Sequence, residues 1–290
     1  MNSSMNVKEK ATMRAWGPIS ILGWMVVWTL LAYSVVCAGF YLWQDRLVFQ
    51  PERTLRATPG RYGLAFENVR IRAPDGTKLA AWYIPGQRGG RTVLLLHGNG
   101  GNISRYLRTL VVLHRLGHGV LALDYRGYGA SDGRPSEAGL YQDAAAAFDY
   151  LLTERKIPSE QTVVYGRSLG GAVATWLAAH RRPGALILES TFTRVSEVGS
   201  YRYPWLPVRL LSRNSFDSVA QMAAVQCRTL IAHGLDDTTV PAAFGRALAS
   251  AAGPKAQFLA LAGGHNDAFV KGGTAYYRHL DQFMRHMPVD

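Results

Sequence analysis

The stretch Thr162-Val163-Val164-Tyr165-Gly166-Arg167-Ser168-Leu169-Gly170-Gly171-Ala172-Val173-Ala174-Thr175-Trp176-Leu177 most constrains what this chain can fold into. Residues 162–165 are fit for a buried strand, and the small-residue run after Gly170 is fit for a tightly packed helix. Between them lies Gly166-x-Ser168-x-Gly170. A serine on so sharp a strand-to-helix turn has a strained backbone and an Oγ pushed into the open. The glycines let the turn close, because side chains there would strike neighbouring backbone. The N-terminus of the following helix favours negative charge, which suits a nucleophile whose transition state is an oxyanion. The same spacing recurs at Gly129-Ala130-Ser131-Asp132-Gly133, but there the apolar run has already ended at Asp124 and Pro135 follows. Ser131 therefore reads as a loop residue, and Ser168 alone has strand, turn and helix in succession.

A serine hydroxyl is a weak nucleophile and needs a base, and in open parallel sheets sites form at the carboxyl ends of strands. The elements around Ser168 predict such a sheet. Residues 66–72 alternate apolar and polar, Pro74-Asp75-Gly76-Thr77 is a turn, and Lys78–Ile84 completes a hairpin. Residues 92–97, 120–124, 185–189, 229–232 and 257–261 are apolar runs of strand length, and 104–116, 137–155 and 276–285 have helical spacing. Strands alternating with helices imply a mostly parallel sheet of about eight strands covered on both faces, an α/β architecture. Residues 191–224 break the alternation. They interleave Tyr201, Tyr203, Trp205 and Leu210 with Arg202, Arg209 and Arg213, and read as a small lid.

The strand ending at His233 is followed by Asp236 and Asp237, and the strand ending at Leu261 by Gly263-Gly264-His265-Asn266-Asp267. His265 would take the Ser168 proton and pass it to the leaving group, while an aspartate holds one imidazole tautomer. Asp236 and Asp237 are both candidates. Glu189, also at a strand end, is a third that reads better as a brace. His97 and His233 sit in His-Gly turns and read as structural. One oxyanion donor is the N–H of Leu169, and the other comes from the loop His97-Gly98-Asn99-Gly100-Gly101-Asn102. The sequon Asn102-Ile103-Ser104 is taken as chance.

The N-terminal part is of a different kind. Residues 1–14 are a polar tail carrying Lys8, Lys10 and Arg14, whereas residues 15–44 hold no charge, and their apolar centre, 19–36, is flanked by Trp16 and Trp43. A helix of that length spans a hydrocarbon core of about 30 Å. A cleaved signal peptide with a site at Val36-Cys37-Ala38 is the rival, but its apolar core would be shorter, about 7–15 residues. An uncleaved single-pass anchor is expected. Arg46, Arg53 and Arg56 follow the span, so flanking charge leaves the orientation open, and a signal-anchor reading places the catalytic domain on the non-cytoplasmic side. The remaining residues, 45–290, suffice for one large α/β domain.

The net charge of +12 is spread along the chain without a Lys/Arg block. No nucleic-acid partner is expected, although anionic head groups would attract such a surface. One cysteine, Cys37, lies in the span and the other, Cys227, in the domain, so neither an internal disulfide nor a cysteine metal site is expected.

These residues resemble the α/β-hydrolase superfamily, and among its members the membrane-anchored alpha/beta-hydrolase-domain-containing serine hydrolases. The resemblance runs from about Leu47 to the C-terminus, through His97-Gly98-Asn99, Asp124-Tyr125-Arg126-Gly127-Tyr128-Gly129, Gly166-Arg167-Ser168-Leu169-Gly170-Gly171, His233-Gly234-Leu235-Asp236-Asp237 and Gly264-His265-Asn266-Asp267. It implies Asp237 as the acid of a triad with Ser168 and His265, and Asn99 with Leu169 as the oxyanion donors. The expected activity is cleavage of acyl esters or thioesters, with lipids among the substrates, through an acyl-enzyme on Ser168 and without cofactor or metal. A peptidase acting on small amides and a catalytically silent interaction module are the alternatives.

Overall fold

A computed structural model describes residues 18–286, which divide into two compact units at Leu42/Trp43. The polar tail 1–14 and the first residues of the expected anchor, Trp16 included, lie outside the described residues. Helix α1, Pro18–Val48, contains a candidate membrane span of 28 residues, Ile21–Val48, whose most apolar 18 residues have a mean hydropathy of 2.0. Its side chains are exposed nearly all round, Trp28 at 66% and Leu30 at 60%, so it is no core helix of a soluble fold. It runs past the expected end at Gln44, taking in Asp45 and Arg46.

The second unit is built on an eight-stranded sheet. In chain order the strands are β1 (Glu67–Arg72), β2 (Lys78–Ile84), β3 (Thr92–Leu96), β4 (Gly119–Asp124), β5 (Thr162–Arg167), β6 (Ala185–Glu189), β7 (Arg228–Gly234) and β8 (Ala256–Leu261). Their spatial order is β1-β2-β4-β3-β5-β6-β7-β8, with β1 and β2 antiparallel to their neighbours and the rest parallel. The central strands are apolar on both faces because both are covered. Leu94 and Leu96 belong to one core with Leu140, Phe148, Val173 and Leu177; Val93 and Leu95 belong to the other with Leu110, Tyr276 and Phe283. The first core takes helices α3 (Glu137–Thr153) and α4 (Leu169–Arg181), the second α2 (Leu107–Arg115) and, by its C-terminal turns, the last helix.

Register decides where the chemistry gathers. Leu96 pairs with Gly166, Arg167 with Glu189, Glu189 with Ala232 and Leu261 with Gly234. The carboxyl ends of β3, β5, β6, β7 and β8 are therefore level, and the loops that leave them share one rim.

Two helices differ from the sequence expectation. The segment expected as one helix over 104–116 starts with a 3₁₀ turn, Ile103–Tyr106, because Asn102 Oδ1 accepts from both the N–H and the hydroxyl of Ser104 (3.0 and 2.6 Å). The closing helix starts at Ala268, eight residues early, and is broken at Gly273 (φ 50°, ψ −143°), a conformation available to glycine. The segment 191–224 forms three short helices, α5 (Val195–Arg202), α6 (Val208–Leu211) and α7 (Ser218–Met222). Helix α8 (Ala242–Ala252) and the closing helix α9 (Ala268–Arg285) complete the fold.

Candidate active site

Ser168 lies between β5 and α4 with φ 52° and ψ −119°. A non-glycine residue there costs about 1–3 kcal/mol and persists only if its surroundings over-determine it. They do. The Ser168 N–H donates to Glu189 O (2.9 Å), and its carbonyl accepts from Gly171 N–H (2.9 Å) and Thr191 Oγ1 (2.7 Å). A Cβ on Gly170 would lie 2.1 Å from Leu96 O, and one on Gly166 2.2 Å from Gly170 O. Only glycine lets α4 close onto β3 and β5 behind the serine.

Ser168 Oγ is 3.1 Å from His265 Nε2, and His265 Nδ1 is 2.7 Å from Asp237 Oδ2. With a carboxylate at Nδ1, that nitrogen carries the proton, and Nε2 is left as the acceptor facing the hydroxyl. Burial alone would raise the Asp237 carboxyl, but hydrogen bonds from His233, His265 and the Val240 N–H outweigh it and hold the group well below the usual carboxylate range. The other oxygen, Oδ1, accepts the N–H groups of Thr239 (2.9 Å) and Val240 (2.8 Å). Asp237 is thus a fixed, buried anion.

The two adjacent aspartates have separate tasks. Asp236 Oδ2 accepts from Gly263 N–H (3.2 Å), while its own N–H donates to Gly263 O (3.0 Å). It braces the loop that carries His265 and does not meet the imidazole. Glu189 is a brace as well, paired with Arg167 Nε (3.0 Å) and accepting the hydroxyls of Tyr165 and Tyr276.

The loop after β3 presents the other side of the site. Gly98 N–H is taken by Tyr106 Oη (2.7 Å), so it is unavailable to a ligand. Gly98 O lies 2.7 Å from His97 Nδ1, which donates to it. In a trans peptide the N–H points opposite to the carbonyl, so His97 aims the Asn99 N–H away from itself. Among the described residues neither Asn99 N–H nor Leu169 N–H has an acceptor in the protein. A Cβ on Gly98 would stand 3.4 Å from the Ser168 Cβ, which places this loop beside Ser168.

The remaining sequence readings find simple roles. Ser131 is fully buried; its Oγ donates to Asp124 O (2.6 Å) and accepts from Ala80 N–H (2.8 Å). His233 is buried with Nε2 on Val240 O (2.7 Å) and 3.4 Å from Asp237 Oδ2. Asn102 is fully buried, its Nδ2 donating to Glu52 O and Thr54 O (both 2.9 Å). Sequence reasoning missed Arg167 and Tyr106. The first sits inside the Gly-x-Ser-x-Gly pattern as a variable residue. The second lies within 104–116, where helical spacing is the only signal. No His/Cys/Asp/Glu cluster suited to a metal ion occurs among the described residues.

Comparisons with known proteins agree with this architecture. Residues 88–216 match the family described as "Serine aminopeptidase, S33". The alpha/beta hydrolase domain-containing protein WAV2 of Arabidopsis thaliana is 34% identical over 282 residues, covering 87% of this chain and 91% of WAV2. An uncharacterized membrane protein of Saccharomyces cerevisiae is 34% identical over 252 residues, covering 83% of this chain and 89% of its own length. Among solved structures, the Pyrococcus furiosus esterase Pf2001 superposes with a TM-score of 0.72 at 20% identity, over 83% of this chain and 99% of that one, a likeness of fold. The parallel sheet with its serine elbow, and relatives matched over nearly their whole length, establish that the chain belongs to the α/β-hydrolase superfamily.

Proposed function

We propose that the protein is a membrane-anchored serine hydrolase that cleaves acyl esters or thioesters through an acyl-enzyme on Ser168. One observation carries the reading: the unbroken chain of contacts from Ser168 Oγ through His265 to Asp237, with the Asn99 loop beside it and the Asn99 and Leu169 N–H groups left without an acceptor among the described residues. Ser168 Oγ attacks the acyl carbon as its proton passes to His265 Nε2. The carbonyl oxygen, now an anion, is met by the N–H groups of Asn99 and Leu169. Collapse breaks the bond to the alcohol or thiol, which leaves with the proton from His265. Water then adds to the acyl-enzyme, giving a proton to His265, and the acid is released as the proton returns to Ser168.

The esterase Pf2001 supports an ester substrate, and the serine aminopeptidase description supports the second reading, a small amide. Labelling by a fluorophosphonate probe, abolished in Ser168→Ala, tests the nucleophile. Folded protein that takes no label would turn the reading to a silent module. Paired ester and amide substrates with a common acyl group separate the two chemistries by kcat/KM.

The exposed apolar helix α1 and the yeast relative's description as a membrane protein support the anchor. On the signal-anchor reading the catalytic domain is non-cytoplasmic, which protease accessibility in intact cells tests. Segment 191–224 is read as a lid: it begins at Thr191, which holds the Ser168 carbonyl, and it exposes Tyr201, Trp205 and Leu210.

A further inference from the structure

The last residues of α1, from Trp43 on, and the chain that follows belong to the second unit and are bonded within it. Gln44 Nε2 donates to Leu211 O (3.0 Å) and its Oε1 accepts from Arg213 N–H (2.7 Å). Asp45 receives Arg213 Nη2 (2.8 Å) and Asn214 Nδ2 (2.9 Å). Phe49 is buried edge-on against Phe216, with ring centres 6.1 Å apart. The next residues join the loop described above. Gln50 N–H donates to Asn99 O (3.0 Å) and Glu52 N–H to Gly101 O (3.0 Å), in a short parallel ladder that sets Gln50 opposite Gly100 and Pro51 opposite Gly101. Glu52 O accepts from Gly129 N–H (3.0 Å) and Asn102 Nδ2 (2.9 Å), which ties the ladder down from both sides. Tyr128 Oη is a second donor to Asn99 O (2.8 Å).

We infer that this strand, through the Gln50 and Glu52 N–H groups, is a positioning element for the oxyanion loop, so that turnover depends on the root of the apolar helix as well as on the triad. Asn99 is held on both sides of its Cα. His97 fixes the peptide that carries its N–H, and Gln50 with Tyr128 fixes the peptide that carries its carbonyl. A loop with Gly98, Gly100 and Gly101 around it has little stiffness of its own, so its shape must come from partners. An oxyanion donor acts only if it is already aimed when charge develops. A single residue, Phe49, separates Val48, the last residue of α1, from the ladder.

The inference rests on the reading of Asn99 N–H as an oxyanion donor, and the test separates the two. In full-length protein in detergent, Gln50→Pro removes the N–H bonded to Asn99 O. Its kcat/KM on an ester should fall about 10- to 100-fold, and the Ki of a trifluoromethyl ketone should rise by the same factor, with KM within about threefold of wild type. Arg88→Pro places proline in an exposed turn whose N–H has no acceptor and serves as the control with wild-type kinetics. If Gln50→Pro does not fold, Tyr128→Phe removes the other donor without touching the backbone. It should move kcat/KM and Ki together by about threefold to tenfold. Unchanged kcat/KM and Ki in the folded variants would overturn the inference. So would an equal loss in Gln50→Ala, which keeps the N–H. Wild-type protein that takes no fluorophosphonate would instead defeat the underlying hydrolase reading before Gln50 is varied.

Discussion

Arg167 donates from Nη2 to the main-chain oxygen of His265 at 2.7 Å, so the residue before Ser168 holds the backbone of the histidine that Ser168 meets. Its Nε is meanwhile paired with Glu189 at 3.0 Å, and Glu189 is almost fully buried. The planar guanidinium serves both partners at once, which a lysine ammonium cannot do with the same geometry. Arg167→Lys should therefore fold but lose about tenfold in kcat with little change in KM, because the imidazole is less well placed. Arg167→Ala strands a buried carboxylate and should cost about 3–5 kcal/mol of stability. Steady-state kinetics and denaturant melts on the two variants check both statements, and a lysine variant with wild-type kcat would remove Arg167 from the positioning of His265.

The adjacent aspartates permit a sharp comparison. Asp237 contacts the imidazole at 2.7 Å and Asp236 contacts only the Gly263 backbone. Asp237→Asn presents an amide where His265 needs an acceptor, favours the wrong tautomer, and should lower kcat by about 10⁴. Asp236→Asn keeps an acceptor for the Gly263 N–H and should lose less than about tenfold. Initial rates on one ester substrate, with circular dichroism to confirm folding, decide the matter. The reverse ranking would give the triad acid to Asp236.

Much of this was legible before any coordinates. The strand spans at Lys78–Ile84 and Ala185–Glu189 follow directly from runs of apolar residues bounded by turn signals. Position after strands makes Ser168, His265 and the pair Asp236 and Asp237 candidates, and only the family resemblance selects Asp237 from that pair. What stayed hidden depends on contacts between segments far apart in sequence. Residues 45–65 carry no strand or helix signal in the sequence, because a two-residue ladder such as Gln50–Pro51 on Gly100–Gly101 leaves no periodicity to detect. The start of α9 was missed because Gly272 and Gly273 interrupt the helical spacing. Arg167 showed no signal because its partners, Glu189 and His265, are brought beside it only by strand register.

Asp237 also links the site to stability. Its carboxyl is held below its unfolded value, against the opposing effect of burial, by His233, His265 and Val240. A depressed acid stabilises the fold above the unfolded pKa, and that contribution is lost as pH falls through the folded one. Stability should therefore be retained from neutral pH down to about pH 4 and decline below it. Asp75, held at about 2 chiefly by hydrogen bonds from Thr77, acts in the same direction. Urea melts of the Ser168→Ala protein against pH should show this acid limb, and adding Asp237→Asn should make it shallower. An unchanged slope would mean that Asp237 carries no folding linkage.

The Asp124-Tyr125-Arg126-Gly127-Tyr128-Gly129 motif gives the most demanding stability test. Arg126 donates from Nη2 to Asp143 Oδ1 (2.7 Å), from Nε to both carboxylate oxygens (3.0 and 3.1 Å), and from its own N–H to Oδ2 (2.8 Å). Its Nη1 reaches Asp75 at 2.8 Å. Asp143 is fully buried, and burial pushes its carboxyl up in spite of these bonds. The pair is therefore costly to desolvate and more costly to break. Arg126→Met should destabilise by about 3–5 kcal/mol, because the Asp143 anion then has no compensating charge. In Arg126→Met/Asp143→Asn the charge is gone, while the amide oxygen still accepts the residue 126 N–H, so about 2 kcal/mol should return. Denaturant melts on the two single variants and the double close the cycle. Simple additivity would show that Arg126 acts through packing rather than through the carboxylate beneath it.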